Sequence, residues 1–175
     1  MARQSSDFII DEINRGNLSK IFGELLMLIE ADKRDDEVCL SYTRESFVVP
    51  DNVYLIGMMN TADRSLAMMD YALRRRFAFV TMEPKFENDK FKEMMARTPD
   101  AKRDALVACV IRLNKEIRND SGLGKGFEIG HSYFCGGLSP SDIVEFELIP
   151  LLEEYWYDAP EKVGEWTSKL REAVR

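Results

Sequence analysis

No apolar run in these 175 residues approaches the roughly 18 that cross a bilayer; even Val53–Met59 is only seven residues long. The opening Met-Ala-Arg-Gln-Ser-Ser-Asp lacks the apolar segment that a secretory leader needs, so the expected compartment is the cytoplasm and no membrane partner is expected. Cysteine is sparse. Cys39, Cys109 and Cys135 are far apart with no C-x-x-C spacing, which excludes a disulfide frame or a zinc site and predicts three buried thiols in a reducing environment. An excess of basic charge is missing too. The net charge of −7 argues against a general nucleic-acid surface, because phosphate neutralisation needs clustered Lys and Arg. Low-complexity stretches and internal repeats are absent. The 45% hydrophobic and 31% charged residues suit a folded chain holding one ordinary domain, or a core with a small helical appendage.

What the chain does contain changes character near residue 84. Phe8-Ile9-Ile10, ending in Asp11 and Glu12, reads as a buried parallel strand with its C-terminal edge at a site. Leu18, Ile21, Phe22, Leu25, Leu26 and Ile29 recur at intervals of three and four and predict one amphipathic helix over 17–31, capped by Asn17. Val38–Val49, polar in the middle, reads as a hairpin. After Pro50-Asp51, Val53–Met59 reads as a second buried strand ending at Asn60. Ser65–Arg75 is expected to be helical, and Phe77–Met82 to form a third strand.

Beyond Pro84 the periodicity is helical only, over 86–96 and 101–119, with a flexible loop at Gly122–Gly126. Ser139-Pro140 then signals a helix start reaching about Tyr157, and Pro160 opens a last helix. The expected domains are an α/β part over 1–84 and an all-helical part over 85–175.

Several residues suit phosphate chemistry. An apolar strand followed by Asp-Glu is the Walker B arrangement, in which Asp11 can hold Mg²⁺ through its water shell and Glu12 can activate the attacking water. The Asn60 amide either hydrogen-bonds a γ-phosphate and that water or caps the following turn. Arg74-Arg75-Arg76 lie where a helix C-terminus favours cations. A sharper reading makes one of them an arginine finger, whose planar charge is worth roughly 10³ to 10⁵ in rate at a transferring phosphoryl group. Asn14-Arg15 fit either a polar turn or a reach toward the site or a subunit interface. Asn60-Thr61-Ala62-Asp63 echoes a guanine-reading motif, but its place at a strand end points to phosphate rather than base. Arg64 is expected to brace that loop by pairing with a carboxylate. The Met58-Met59, Met68-Met69 and Met94-Met95 pairs read as core or interface filler.

Taken in order, Phe8-Ile-Ile-Asp-Glu-Ile-Asn-Arg15, Asn17-Leu-Ser-Lys-Ile-Phe-Gly-Glu24, Gly57-Met-Met-Asn-Thr-Ala-Asp-Arg-Ser65 and Asp70-Tyr-Ala-Leu-Arg-Arg-Arg-Phe77 resemble the McrB family. So do Gly124-Lys-Gly-Phe-Glu-Ile-Gly-His-Ser-Tyr-Phe134 and Pro150-Leu-Leu-Glu-Glu-Tyr155. These are AAA+ subunits of modification-dependent restriction systems that characteristically hydrolyse GTP. The resemblance implies an α/β fold, a partial AAA+ P-loop NTPase core followed by an all-helical lid. It implies Asp11 and Glu12 as Walker B, with Asp11 toward metal and nucleotide, a hairpin at 37–49 preceding sensor 1, and Asn60 as sensor 1. Arg75 or Arg76 becomes the finger for a neighbouring subunit, Arg76 being favoured because it adjoins the expected strand. His131 falls where the lid approaches nucleotide and is either a sensor 2-like contact or a structural histidine. The implied cofactors are Mg²⁺ with GTP or ATP. The implied partners are copies in a homo-oligomeric ring, a nuclease subunit, and DNA held through regions outside this chain.

One requirement is missing. The sole Gly-Lys pair, Gly124-Lys125, has Asn119 where the first glycine of G-x-x-x-x-G-K-[ST] must be and Gly126 where Ser or Thr must be. It also follows Walker B, where a phosphate loop should precede it. The G-x-G-x-x-G pattern fails as well, at Phe127. The central Walker A strand is thus absent, and Phe77–Met82 would need a partner from elsewhere. Met1 then marks a chosen start, a truncated reading frame or one half of a split protein. Two other readings remain: a MoxR-like remodelling ATPase, and a non-catalytic assembly module joining rings through Arg74–Arg76.

Overall fold

The computed structural model describes residues 5–60, 62 and 71–175. Two units, Met1–Val80 and Thr81–Arg175, make most of their contacts internally. Among the described residues no helix is long and apolar enough to cross a membrane.

The first unit begins with β1 (Ser6–Ile10) and a 3₁₀ turn at Ile13–Arg15. Asn17 caps α1 (Leu18–Phe22) by accepting the Lys20 N–H at 3.0 Å. The single helix expected over 17–31 does not form. It breaks at Gly23, where φ is 49°, and 3₁₀ segments at Gly23–Ile29 and Ala31–Lys33 carry the chain on. Glycine adopts that left-handed backbone without a Cβ clash, so the break is local to this residue. Leu28 and Ile29 are still buried. β2 (Glu37–Cys39) and β3 (Ser46–Val48) pair antiparallel, Glu37 opposite Val48, as the expected hairpin. β4 (Val53–Gly57) then runs parallel to β1, with Ser6 opposite Val53 and Ile10 opposite Gly57. Of the predicted 65–75 helix, α2 (Tyr71–Arg74) is what falls within the described residues; Thr61, Asp63, Arg64 and Met68-Met69 lie outside them.

Two strand expectations are corrected. Phe77–Met82 forms no strand. A strand exists by pairing, and neither β1 nor β4 takes this segment as a neighbour. The β1–β4 pair is also not buried: Phe8 is 59% exposed and Ile9 60%, with Tyr54, Ile56, Met58 and Met59 also exposed. Parallel strands are normally covered on both faces by packed elements, and here the buried cluster is only Ile13, Leu18 and Leu73, flanked by Ile10, Phe22, Leu26 and Phe77.

The second unit is all helix and turn. Asn88 caps α3 (Asp89–Arg97) from the Lys90 N–H at 2.9 Å, and Asp100 caps α4 (Ala101–Asn119) from Lys102 and Arg103. A long irregular stretch leads to α5 (Pro140–Asp142), a π-helical segment at Ile143–Leu148, and α6 (Ile149–Tyr155). Ser139 accepts the Asp142 N–H at 3.2 Å, the cap its sequence predicts. The wide turn precedes Pro150 because a mid-helix proline has no N–H and crowds the carbonyl four residues back; the Ile149 N–H bonds Val144 instead. α7 (Pro160–Ala173) ends the unit.

Leu106, Val110, Leu113 and Ile117 of α4 are fully buried in a core with Val144, Leu148, Leu152 and Leu170. Each such side chain contributes roughly 1.5–3 kcal/mol by leaving water. The glycine loop expected to be flexible is pinned. The Gly124 N–H donates to Ile117 at 3.1 Å, and Lys125 pairs with Glu83 at 2.5 Å. The Met94-Met95 pair packs against this core. Of the three thiols expected to be buried only Cys109 is; Cys39 lies on the two-stranded hairpin and Cys135 beside Gly136-Gly137, and both are exposed. All three are free.

Candidate functional site

The site candidates of the first unit stand at the C-terminal edge of the parallel pair. The ladder runs past the strands: the Met58 N–H donates to Ile10 and the Ile13 N–H to Met58, both at 2.9 Å. Between these bonds the chain reverses at Glu12, whose φ of 49° and ψ of 44° are left-handed. A non-glycine residue there is uncommon, and such strain is concentrated at functional sites. The reversal drops Ile13, 2% exposed, onto β4 at Gly57. A Cβ added to Gly57 would stand 2.6 Å from Ile13 Cδ1, so only glycine lets the turn close this tightly.

Asp11 is exposed and its Oδ1 accepts the Glu12 N–H at 2.9 Å. One Glu12 carboxylate oxygen, Oε2, is enclosed without a hydrogen-bond partner, 3.4 Å from Arg15 Nε in an ion pair. Asn14 is buried and Arg15 exposed. On β4's side, Asn60 follows Met58 by two residues and its Oδ1 accepts the Ala62 N–H at 3.1 Å. That is the turn-capping contact, and it uses the amide oxygen. Asp11, Glu12 and Asn60 therefore follow adjacent parallel strands, the edge where α/β sheets present ligand-binding groups.

The three arginines have different surroundings. The Arg74 guanidinium lies 5.6 Å from the Phe79 ring centroid. Arg76 Nη2 meets Glu30 Oε1 at 2.6 Å, with the arginine side chain 11% exposed. Arg75 is exposed. His131, in the second unit, is half-buried. Its Nδ1 accepts the Lys85 N–H at 3.1 Å, which places the neutral ring's proton on Nε2. Its ring meets Phe91 edge-on at 5.6 Å. His131 and the Lys125–Glu83 pair together fasten residues 83–86 to the helical core, a structural duty for the histidine.

Sequence reasoning missed Glu30 and Asn114. Glu30 carried no local signal, since its partner is distant in the chain. Asn114 did: it is a polar residue inside the α4 stripe of Val110, Leu113 and Ile117. It is 5% exposed, donates to the Ile129 carbonyl at 2.9 Å and accepts the Ile129 N–H at 2.7 Å.

Among the described residues no group of three or more His, Cys, Asp or Glu converges as a metal cage. Magnesium does not need one. It keeps most of its water and takes one or two carboxylates beside substrate phosphates, and the exposed Asp11 carboxylate, a hard oxygen donor at the strand edge, fits that demand.

A parallel pair with an acidic turn at its edge, a following hairpin and a separate helical unit define the class, an AAA+ core joined to a lid. Residues 1–77 match the AAA domain of the dynein-related subfamily. Residues 105–164 match the alpha-helical lid domain of McrB. The Type IV methyl-directed restriction enzyme EcoKMcrB subunit of Escherichia coli strain K12 is 51% identical over 93% of this chain and 39% of its own length. The Type II restriction enzyme BsuMI component YdiS of Bacillus subtilis strain 168 is 28% identical over 43% of this chain and 26% of its own. The chain belongs to the McrB family and corresponds to its C-terminal part. It spans well under half the length of these curated relatives.

Proposed function

We propose that this chain is part of an AAA+ nucleoside triphosphatase motor in a restriction system. The motor hydrolyses GTP, or ATP, with Mg²⁺ at the subunit interfaces of a cytoplasmic homo-oligomeric ring. Hydrolysis drives DNA translocation beside a nuclease subunit, the DNA being held by regions outside this chain. The observation that carries the reading is the β1–β4 register, which brings the ends leading to Asp11-Glu12 and to Asn60 side by side.

In this reading Asp11 is the carboxylate for the hydrated magnesium, which when bound would neutralise charge on the terminal phosphates. Glu12 is the general base. Its left-handed backbone aims the carboxylate from a tight turn, and Arg15 holds it ionised and ready to accept a proton from water. Asn60 is sensor 1, its amide donating to the terminal phosphate once the capping bond to Ala62 yields. Arg75 or Arg76 offers a guanidinium to the neighbouring subunit's nucleotide. His131 belongs to the lid side of the same site, through the segment it fastens.

The phosphate cradle is not among these residues, so the chain by itself is expected to bind GTP or ATP very weakly. Isothermal calorimetry with Mg²⁺ checks this, and tight binding by the isolated chain would overturn the assignment of roles. The missing G-x-x-x-x-G-K-[ST] also favours a second reading, an assembly module that joins intact rings without firing. Falling turnover when the chain is added to intact McrB-family subunits would support it.

A further inference from the structure

Resting on the motor reading above, we infer that the arginine triplet divides its work. Glu30 fixes Arg76 inside the α/β unit as a brace, and Arg75 is the guanidinium presented to a neighbouring subunit's triphosphate.

A guanidinium that acts across an interface must be exposed, and the backbone carrying it must be held still, because a misplaced group loses its effect in the transition state. Arg75 meets both conditions. Its side chain is exposed, while its neighbours in sequence are anchored. Two residues before it, Leu73 is 1% exposed in the small apolar cluster. One residue after it, the Arg76 N–H donates to the Leu73 carbonyl at 2.9 Å and the Arg76 guanidinium is held by Glu30 at 2.6 Å.

Arg76 fails the first condition. To reach a neighbour it would have to leave an enclosed position and abandon a carboxylate that is itself two-thirds covered, and separating such a pair strands both charges. Glu30 is well placed as the fixed partner. It follows Leu28 and Ile29, both buried, and its own N–H donates to Met27 at 3.2 Å. Arg74 is occupied with the Phe79 ring. Glu30 is then a positioning residue that acts through Arg76 on the placement of Arg75.

Phenylglyoxal labelling of the chain, mapped by mass spectrometry, tests the division without any catalysis. Arg76 is expected to react about tenfold more slowly than Arg75, because an enclosed group is attacked only after local opening. Glu30→Gln should erase that protection and Glu30→Asp should keep part of it, circular dichroism confirming the fold of each variant. Equal reactivity of the two arginines, or protection unchanged in Glu30→Gln, overturns the inference.

A second measurement tests the reading beneath it. The chain is joined to the phosphate-loop half of the Escherichia coli relative and GTP turnover is followed. Arg75→Ala should lower kcat by about 10³-fold with KM unchanged, while Glu30→Gln lowers kcat less. If Arg76→Ala abolishes turnover and Arg75→Ala does not, the roles are reversed and the inference fails. If neither arginine matters while the labelling pattern stands, the brace is real and the finger reading is the part that fails.

Discussion

The two units solve the burial problem differently. The helical unit gathers eighteen buried side chains into one cluster and closes its polar groups internally. The α/β unit buries three and leaves the apolar side chains of β1 and β4 open to solvent. Helices joined by short turns can bury their stripes against each other. A pair of parallel strands cannot, since each strand has two faces and needs layers on both. The lid carries what it needs to be a stable body, whereas the α/β unit carries chemistry on a scaffold whose faces still call for cover.

The largest expected effect tests that contrast directly. Leu113→Ala or Leu152→Ala, at positions fully buried in the lid, should cost about 2–5 kcal/mol of stability. Phe8→Ala, at a strand position 59% exposed, should cost under about 0.5 kcal/mol. Both tryptophans, Trp156 and Trp166, are buried in the lid, so urea unfolding followed by tryptophan fluorescence reads that unit alone. A Phe8→Ala loss as large as the leucine losses would mean that the strand faces are covered in solution, and the contrast would collapse.

Next comes Asn114. Its amide holds both the N–H and the carbonyl of Ile129 at a point where the chain passes from the pinned glycine loop toward His131. Asn114→Leu leaves two backbone groups buried without partners, and about 2–3 kcal/mol should be lost. The same fluorescence melts measure it. An unchanged midpoint would show that Ile129 finds other partners, and the lid would be less sharply specified than its geometry indicates.

What the sequence made legible follows the range of the forces involved. Local signals were read correctly. Asn17 and Ser139 cap helices, Pro140 and Pro160 stand at first turns, and α4 keeps its expected limits because its stripe repeats without interruption over nineteen residues. The fold class, an AAA+ core followed by a helical lid, was legible from ordered motifs. Properties that depend on distant partners were not. Phe77–Met82 has the composition of a strand but no neighbour to pair with. Cys39 and Cys135 look apolar in isolation but sit where nothing packs over them. At the candidate site, the order of Asp11, Glu12 and Asn60 along the chain was visible, because strand ends are local. The left-handed turn at Glu12 and the capture of Arg76 by Glu30 were not, because both are set by what lies across the fold.

The smallest expected effect concerns pH and again separates the units. Asp120, just beyond α4, accepts Lys162 Nζ at 2.8 Å, Trp156 Nε1 at 2.9 Å and the Gly122 N–H at 2.8 Å. The Lys162 bond, working against burial, holds its carboxyl down at about 2 from an ordinary 3.8. A carboxyl held below its unfolded value stabilises the fold above roughly pH 4. That contribution fades as pH drops toward about 2. Asp120→Asn should lower lid stability at pH 7 by about 1 kcal/mol, the charge being screened by nearby solvent. The gap between variant and parent should close as melts are repeated at falling pH. Glu83 and Glu145, depressed by Lys125 and Arg171 respectively, titrate in the same acid range in both proteins, so the difference isolates Asp120. If the gap stays constant from neutral to acid, Asp120 works through its hydrogen-bonding shape rather than its charge, and Lys162 is a packing residue over the Trp156 ring, 4.4 Å from its centroid, more than an ionic partner.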